Sequence, residues 1–355
     1  MISGVLMRAL LLIFLVLTAC SLPPLATPGE GEGEGEGECP SDWITCDYER
    51  RTIVTFDNVS FPNVQSVPLA LRLDELGINP NEGFKVFIPE GVELAYTRDA
   101  GIAWIRISLP ADGQRDLEIY ANGPPGGGSV GPFERFHLLV FHFDGSPLST
   151  NGFIADSNVR IFTPGVFNSG VFFNANQSTM MTVSESSILN LVDAEFTLEA
   201  WITISEAPTG DAAIVSRGIE GTDLQSMSLV MNANRQIIAK AGDRDQIRTL
   251  ISGESLSLNV PHHVAVSSDG NAVVLYVDGV QVAAELMNGG SLENDNAPLY
   301  IGGQSLDDGQ TFVNFFNGSI DEVRLSTIAV SESHAAATFR NGYNQLITIG
   351  ATETR

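Results

Sequence analysis

The chain has 355 residues, with 43 Asp and Glu against 18 Lys and Arg, a formal net charge of −25 and three cysteines. That length suits roughly two domains. So acidic a surface repels phosphates, which argues against a nucleic-acid partner, and it favours loose association with cations such as calcium.

Arg8 is followed by an uncharged, mostly apolar stretch from Ala9 to Ala19, closed by Leu17-Thr18-Ala19-Cys20. The run is short for a bilayer span and has the layout of a cleaved export signal. The tetrapeptide resembles a bacterial lipoprotein signal. The resemblance implies cleavage before Cys20, lipid on Cys20, and function at a membrane surface outside the cytoplasm. An ordinary secretory signal with an incidental cysteine is the alternative. Loss of residues 1–19, which hold Arg8 and no acid, takes the net charge to −26. Ser21, not aspartate, follows the cysteine, which in a double-membrane bacterium favours the outer membrane or cell surface. Residues 20–38 read as a tether, with Pro23, Pro24 and Pro28 and then five Gly-Glu pairs. Glycine makes such a segment flexible, and regularly spaced glutamates extend it. No later segment is long and apolar enough for a transmembrane helix.

Cys39 and Cys46 flank Pro40 to Thr45. In an oxidising compartment this spacing predicts a small disulfide loop. A metal pair is the alternative, although no His or further Cys lies close by. Residues 39–122 read as a small β-sandwich of six strands: Thr52 to Phe56, Val67 to Leu73, Phe84 to Ile88, Val92 to Tyr96, Ile102 to Leu109 and Leu117 to Tyr120. Each is rich in β-branched and aromatic residues and bounded by Asn, Gly, Asp or Pro. In the fifth, Trp104 and Arg106 share one face and Ala103, Ile105 and Ile107 the other. Tyr48-Glu49-Arg50-Arg51-Thr52-Ile53, Ala103-Trp104-Ile105-Arg106-Ile107 and Leu117-Glu118-Ile119-Tyr120-Ala121-Asn122-Gly123 resemble a bacterial domain of unknown function. That domain often precedes laminin-G-like modules in exported proteins, and the resemblance implies no activity. Residues 123–132, with Gly123-Pro124-Pro125-Gly126-Gly127-Gly128, read as a linker. They lack the Lys and Ser/Thr ending of a phosphate-binding loop.

The second domain is expected over 133–345, with a C-terminal tail at 346–355. Phe196 to Ile204 alternates strictly, placing Phe196, Leu198, Ala200, Ile202 and Ile204 on one face. Asp278-Gly279 between two apolar runs predicts a type I′ hairpin, whose central residues both need positive φ. Ser331 to Asn341 predicts the domain's helix, capped by Ser331 and ended by Gly342. Six motifs stand in order: His137 to Asp144, Phe196 to Ile202, His262-His263-Val264-Ala265-Val266, Leu275 to Gly279, Leu299-Tyr300-Ile301-Gly302-Gly303, and Phe316 to Arg324. Together they resemble the laminin-G-like (concanavalin A-like) jelly-roll family, with Pro261 where that family usually has Trp. The fold class expected for the whole chain is therefore all-β, a small β-sandwich followed by a concanavalin A-like jelly roll.

Candidate chemistry is sparse. His137 and His142 are five apart on one expected strand and so predicted on opposite faces, and the adjacent His262 and His263 diverge. No pair is spaced as zinc ligands. Gly303-Gln304-Ser305-Leu306-Asp307 lacks the last glycine of a nucleophile elbow. Ser319-Ile320-Asp321-Glu322-Val323-Arg324 lacks the Glu-x-Asp-x-x-Glu strand of jelly-roll glycoside hydrolases, so the expectation is no enzyme. The family resemblance implies a structural calcium held by Asp144 and Asp321, tying the first strand of the domain to the last. The alternative is that Asp321 bonds loop amides and Asp144 caps a turn. Glu293, Asp295, Asp307 and Asp308 read as solvated loop acids. Phe312, Phe315 and Phe316 around Asn314 are candidates for a sugar platform, at least two of them expected in the core by alternation; Trp201 is expected in the core, and no ligand surface is assigned. The reading is a lipid-anchored envelope protein that binds cell-surface glycans or proteins without catalysis. An envelope spacer and a divergent carbohydrate-active enzyme are the alternatives.

Overall fold

The computed structural model describes residues 39–126, 131–146, 148–159, 162–189, 191, 195–219, 226–243, 246–287, 297–307 and 309–355. The signal stretch, Cys20 and the tether lie outside the described residues, as do Glu293, Asp295 and Asp308. Residues Cys39–Arg355 form one unit.

Short alternating runs cannot bury both faces, so they stack as sheets face to face. The first sandwich has a five-stranded sheet in the order Ile347–Thr354, Arg50–Asp57, Gln114–Gly123, Gly83–Phe87, Glu93–Leu94. Opposite it stands a three-stranded sheet, Val64–Arg72, Ile102–Leu109, Tyr96–Asp99. Ala103, Ile105 and Ile107 point into the core between them, with Val54, Phe56, Leu69 and Leu117. Trp104 and Ile102 point the other way. A disulfide joins Cys39 to Cys46. Its loop lies on the five-stranded sheet, where Trp43 Nε1 donates to Glu353 at 3.2 Å and the Ile44 amide to the Tyr120 hydroxyl at 2.7 Å.

Residues 346–355, expected as a tail, instead complete that sheet. Ile347–Thr354 pairs antiparallel with Arg50–Asp57, Thr352 opposite Thr52 and Ile349 opposite Val54. The partner lies some 300 residues away in sequence, so nothing local announces the pairing.

The jelly roll is two larger sheets. The inner one runs Phe162–Pro164, Ser169–Phe173, Gly318–Ser326, Phe196–Ile204, Pro261–Ser268, Ala272–Val277, Val280–Leu286, with His137–Phe141 also on Gly318–Ser326. The outer one runs Gln246–Ile251, Ile237–Asp243, Met227–Met231, Ala212–Arg217, Leu299–Ile301, Met181–Val183, Ala155–Ser157. Phe196, Leu198, Ala200, Ile202 and Ile204 all enter the core between the sheets. At the hairpin, Asp278 and Gly279 take φ 49° and 78°.

The helix Glu332–Gly342 is capped by Ser331, whose hydroxyl accepts from the His334 amide. It is wedged between the sandwiches: Ala335 packs with Ala265 and Tyr276, Ala337 with the first core. Near its end the Asn341 amide bonds both the N–H and the C=O of Ala70, at 2.7 and 3.0 Å. A side chain thus stands in for a neighbouring strand along Val64–Arg72, which ends its sheet. Among the described residues no helix is long and apolar enough to cross a membrane.

Candidate functional site

Pairing between Gly318–Ser326 and Phe196–Ile204 slips between Glu199 and Trp201, and Glu322 takes φ 51°. Two residues then face one, as in a β-bulge. Ile320, Val323 and Leu325 enter the core, while Asp321, Glu322 and Arg324 turn to the other face. There Glu322 accepts Arg324 Nε and Nη2 at 3.0 and 2.7 Å and pairs with His142 Nδ1 at 2.7 Å. Glu199 meets Arg324 Nη1 at 3.4 Å and His263 Nε2 at 3.0 Å. The guanidinium lies over Trp104 and Phe133, 4.7 and 5.2 Å from their ring centres. Burial alone would raise the Glu322 carboxyl; His142 and Arg324 hold it low. The N-terminal sandwich closes over this face through Trp104, Ile102 and Ala70. The charges there fasten two domains and are shut off from ligands.

The prediction that His137 and His142 face opposite sides fails. Both rings lie against Phe133, at 5.1 and 5.2 Å. The strand ends at Phe141, before His142, and its register shifts beside His137. Alternation holds only inside an uninterrupted ladder.

One His–carboxylate pair borders a cavity of about 550 Å³ lined by Ser252, Glu254, Ser257, Asp278 and Val282. His262 Nδ1 is 2.7 Å from Asp278 Oδ2, the spacing of a general-base dyad. Its other nitrogen, which would face a substrate, accepts the Ser257 amide at 3.1 Å. The dyad is therefore a loop clasp, with its base already occupied.

The implied calcium pair does not fit an ion. Asp321 Oδ2 accepts from Val166 and Phe167 amides at 2.8 and 3.1 Å, and Oδ1 from the Glu322 amide at 2.8 Å. A carboxylate ringed by N–H donors is the reverse of the oxygen cage calcium needs. Asp144 instead adjoins Asp99 of the N-terminal sandwich; burial first, then Asp144, raise the Asp99 carboxyl to about 7. Among the described residues no group of three or more His, Cys, Asp or Glu is set to hold a metal. The first strand of the domain is tied to Gly318–Ser326 by their backbone ladder, and His142, just beyond the strand, adds its contact to Glu322. Asp307, read as a loop acid, caps its turn by accepting the Gln310 amide and the Thr311 amide and hydroxyl.

The sugar-platform residues divide. Phe316 is fully buried in the core, while Phe312 and Phe315 are half-buried. Phe312 sits edge-on to Tyr300 at 5.7 Å. Phe315 lies over Gly303, where an added Cβ would come within 3.3 Å of its ring. Two hollows of about 360 and 320 Å³ meet at Phe315. Glu206, Pro208, Asp211 and Asn317 line the first; Asp156, Met180, Thr182 and Phe312 line the second. Asn158 braces the second wall, donating to Ser178 O at 3.1 Å and accepting the Met180 amide at 2.8 Å. Asn317 donates to Glu206 at 3.0 Å. The groove thus offers an aromatic wall with carboxylate and hydroxyl groups, and among the described residues it holds no nucleophile paired with a base. Asp156 and Thr182 face each other on the paired strands Ala155–Ser157 and Met181–Val183, and Glu206 and Asp211 share the connection 205–211. They escaped the sequence reading because no local spacing joins those strands to that connection.

Residues 175–336 match the family model described as the concanavalin A-like lectin/glucanases superfamily. This part of the chain is a concanavalin A-like domain. The solved structures it resembles include the binding domain of Paraclostridial Mosquitocidal Protein 1, at 16% identity and TM-score 0.45, covering 55% of this chain and 49% of that one. Domain 4 of AbnA, a GH43 extracellular arabinanase from Geobacillus stearothermophilus solved with arabinotriose, gives 15% and 0.45 over 56% and 96%. The binding domain of Botulinum Neurotoxin DC in complex with SialylT gives 11% and 0.44 over 58% and 51%. The alignment thus spans about half the length of the first and third of these chains. No curated protein matches the chain.

Proposed function

We propose that this protein is a lipid-anchored, extracytoplasmic binding module for surface glycans, held at the membrane by Cys20, and that it carries out no catalysis. The observation that carries the reading is the groove at Phe315, where half-exposed phenyl rings flank hollows lined with polar side chains. Sugar rings have an apolar face for an aromatic wall and hydroxyls for carboxylates. Support for the absence of catalysis comes from His262, whose free nitrogen is taken by Ser257, and from Glu322, sealed beneath the N-terminal sandwich. The lipid on Cys20 rests on the sequence alone.

A glycan array with the full-length protein in detergent tests the binding. Retention of at least one glycan class is expected, weakened about tenfold by Phe315→Ala with the melting temperature unchanged. An array without a single retained glycan overturns the reading. Mass spectrometry of the mature protein tests the anchor: Cys20 is expected at the N-terminus and acylated, and an unmodified Cys20 removes it.

A further inference from the structure

The two hollows beside Phe315 share a one-sided charge. Glu206 and Asp211 line the first and Asp156 the second, and among the described residues the lining of neither includes Lys, Arg or His. Arg235 lines an adjoining hollow that shares Ala207. The side chains of Asp156, Asp211 and Thr182 have no protein partner among the described residues. Glu206 is held by Asn317 through one oxygen, Oε2. Oxygen acceptors therefore face the groove on both sides of the ring. Among the described residues nothing cationic in the lining answers a sialic acid, a uronic acid or a sulfate.

We infer that the Phe315 groove selects glycans by charge, taking sugar chains that bear protonated amines ahead of neutral ones and rejecting anionic ones. The inference rests on the proposed glycan binding and narrows its ligand class. A protonated amine presents N–H donors that a carboxylate accepts in charge-assisted bonds, which are shorter and stronger than neutral ones. A neutral sugar offers hydroxyl donors to the same oxygens. An anionic sugar brings a carboxylate against carboxylates, in the field of a chain whose net charge is −25. With a ring on each flank of Phe315, the groove suits a linear oligomer of more than one residue.

The test is calorimetric titration of the full-length protein, in detergent, with three linear tetrasaccharides. They are built of glucosamine, of N-acetylglucosamine and of galacturonic acid. The expected order is glucosamine, N-acetylglucosamine, galacturonate, with at least about tenfold between first and last at low salt. That spread should shrink as added salt screens the charges. In the triple variant Asp156→Asn, Glu206→Gln, Asp211→Asn, which keeps an acceptor oxygen at each position but removes the charge, glucosamine binding is expected to weaken most and the spread to collapse to within about threefold. Equal or tighter binding of galacturonate overturns the charge selection and leaves glycan binding standing. An order that persists in the triple variant does the same. Failure of all three oligomers to bind, where the array shows another glycan retained, overturns the selection alone. Failure in both assays overturns the binding reading beneath it.

Discussion

Arg324 is the residue on which the contact between the sandwiches turns. It is 2% exposed, holds Glu322 through two nitrogens and Glu199 through a third, and lies over Trp104 from the opposite domain. Charges this deep carry a large desolvation cost, offset only while each has its partners. Removing the cation leaves two buried carboxylates with only His142 and His263 beside them. Arg324→Ala is expected to cost about 3–5 kcal/mol, read as a lower urea midpoint in equilibrium unfolding. Arg324→Lys keeps the charge but loses the planar fork and its stacking on Trp104, so it should recover only part of the loss. A variant as stable as the parent would show that the network contributes nothing. The identity of these residues was plain in the sequence, but their arrangement was not. Asp321 and Glu322 share a face only because a bulge inserts between Glu199 and Trp201, and strict alternation would have sent them to opposite sides.

At the scale of elements, the strand Ile347–Thr354 closes the N-terminal sandwich from the far end of the chain. It covers the outer edge of Arg50–Asp57, and Glu353 receives both Trp43 Nε1 and Arg51 Nη1 at 3.2 Å. Deleting residues 347–355 would bare the edge of Arg50–Asp57 and free the disulfide loop from one of its supports. The expected result is a lower melting temperature and new protease cleavage within residues 39–57, with the jelly roll left intact. Unchanged melting and cleavage would make the strand dispensable. This element also marks how far the sequence could be read. Strands such as Phe196–Ile204 and the hairpin at Asp278-Gly279 were legible because period and turn chemistry are local. The helix was legible from its Ser331 cap. Pairing across 300 residues has no local signature, and Thr348-Ile349-Gly350-Ala351 reads equally as tail. The groove was barely legible: Phe312 and Phe315 were candidates from a trio expected mostly in the core, and the acids facing them come from the strand Ala155–Ser157 and the connection 205–211, which only the fold brings together.

The whole molecule carries opposed titrations at its domain seam, and they set a pH window for its stability. Burial foremost lowers His137 to about 3 and His334 to about 4, with the Arg324 charge adding to it in both. Their unfolded values lie near 6.5, so unfolding takes up two protons as pH falls below that point. Their contribution is complete above about pH 6.5 and is lost as pH falls toward 4. Asp99 acts the other way. Its carboxyl, raised to about 7 in the fold, releases its proton on unfolding. Its contribution is complete below about pH 4 and is lost as pH rises through 7. Asp99 is partly open to solvent, so its share is reduced by screening. Asp321, whose carboxyl is also raised by burial and by the Glu322 charge, acts with Asp99 and offsets part of the histidine effect. Glu199 and Glu322, held low in the fold, add to the loss on acidification, so stability should fall toward acid. Above 6.5 the histidines are silent, and Asp99 and Asp321 together give a decline as pH rises. Calorimetric melting from pH 4 to pH 8 should therefore show a maximum near pH 6.5, with a decline on either side. His137→Gln should flatten the acid limb by removing one of the two protons, and Asp99→Asn should reduce the alkaline decline and leave the share of Asp321. A melting temperature that rises on acidification from pH 6.5 would mean that the seam does not hold its histidines neutral, and with it the sealed interface would be lost.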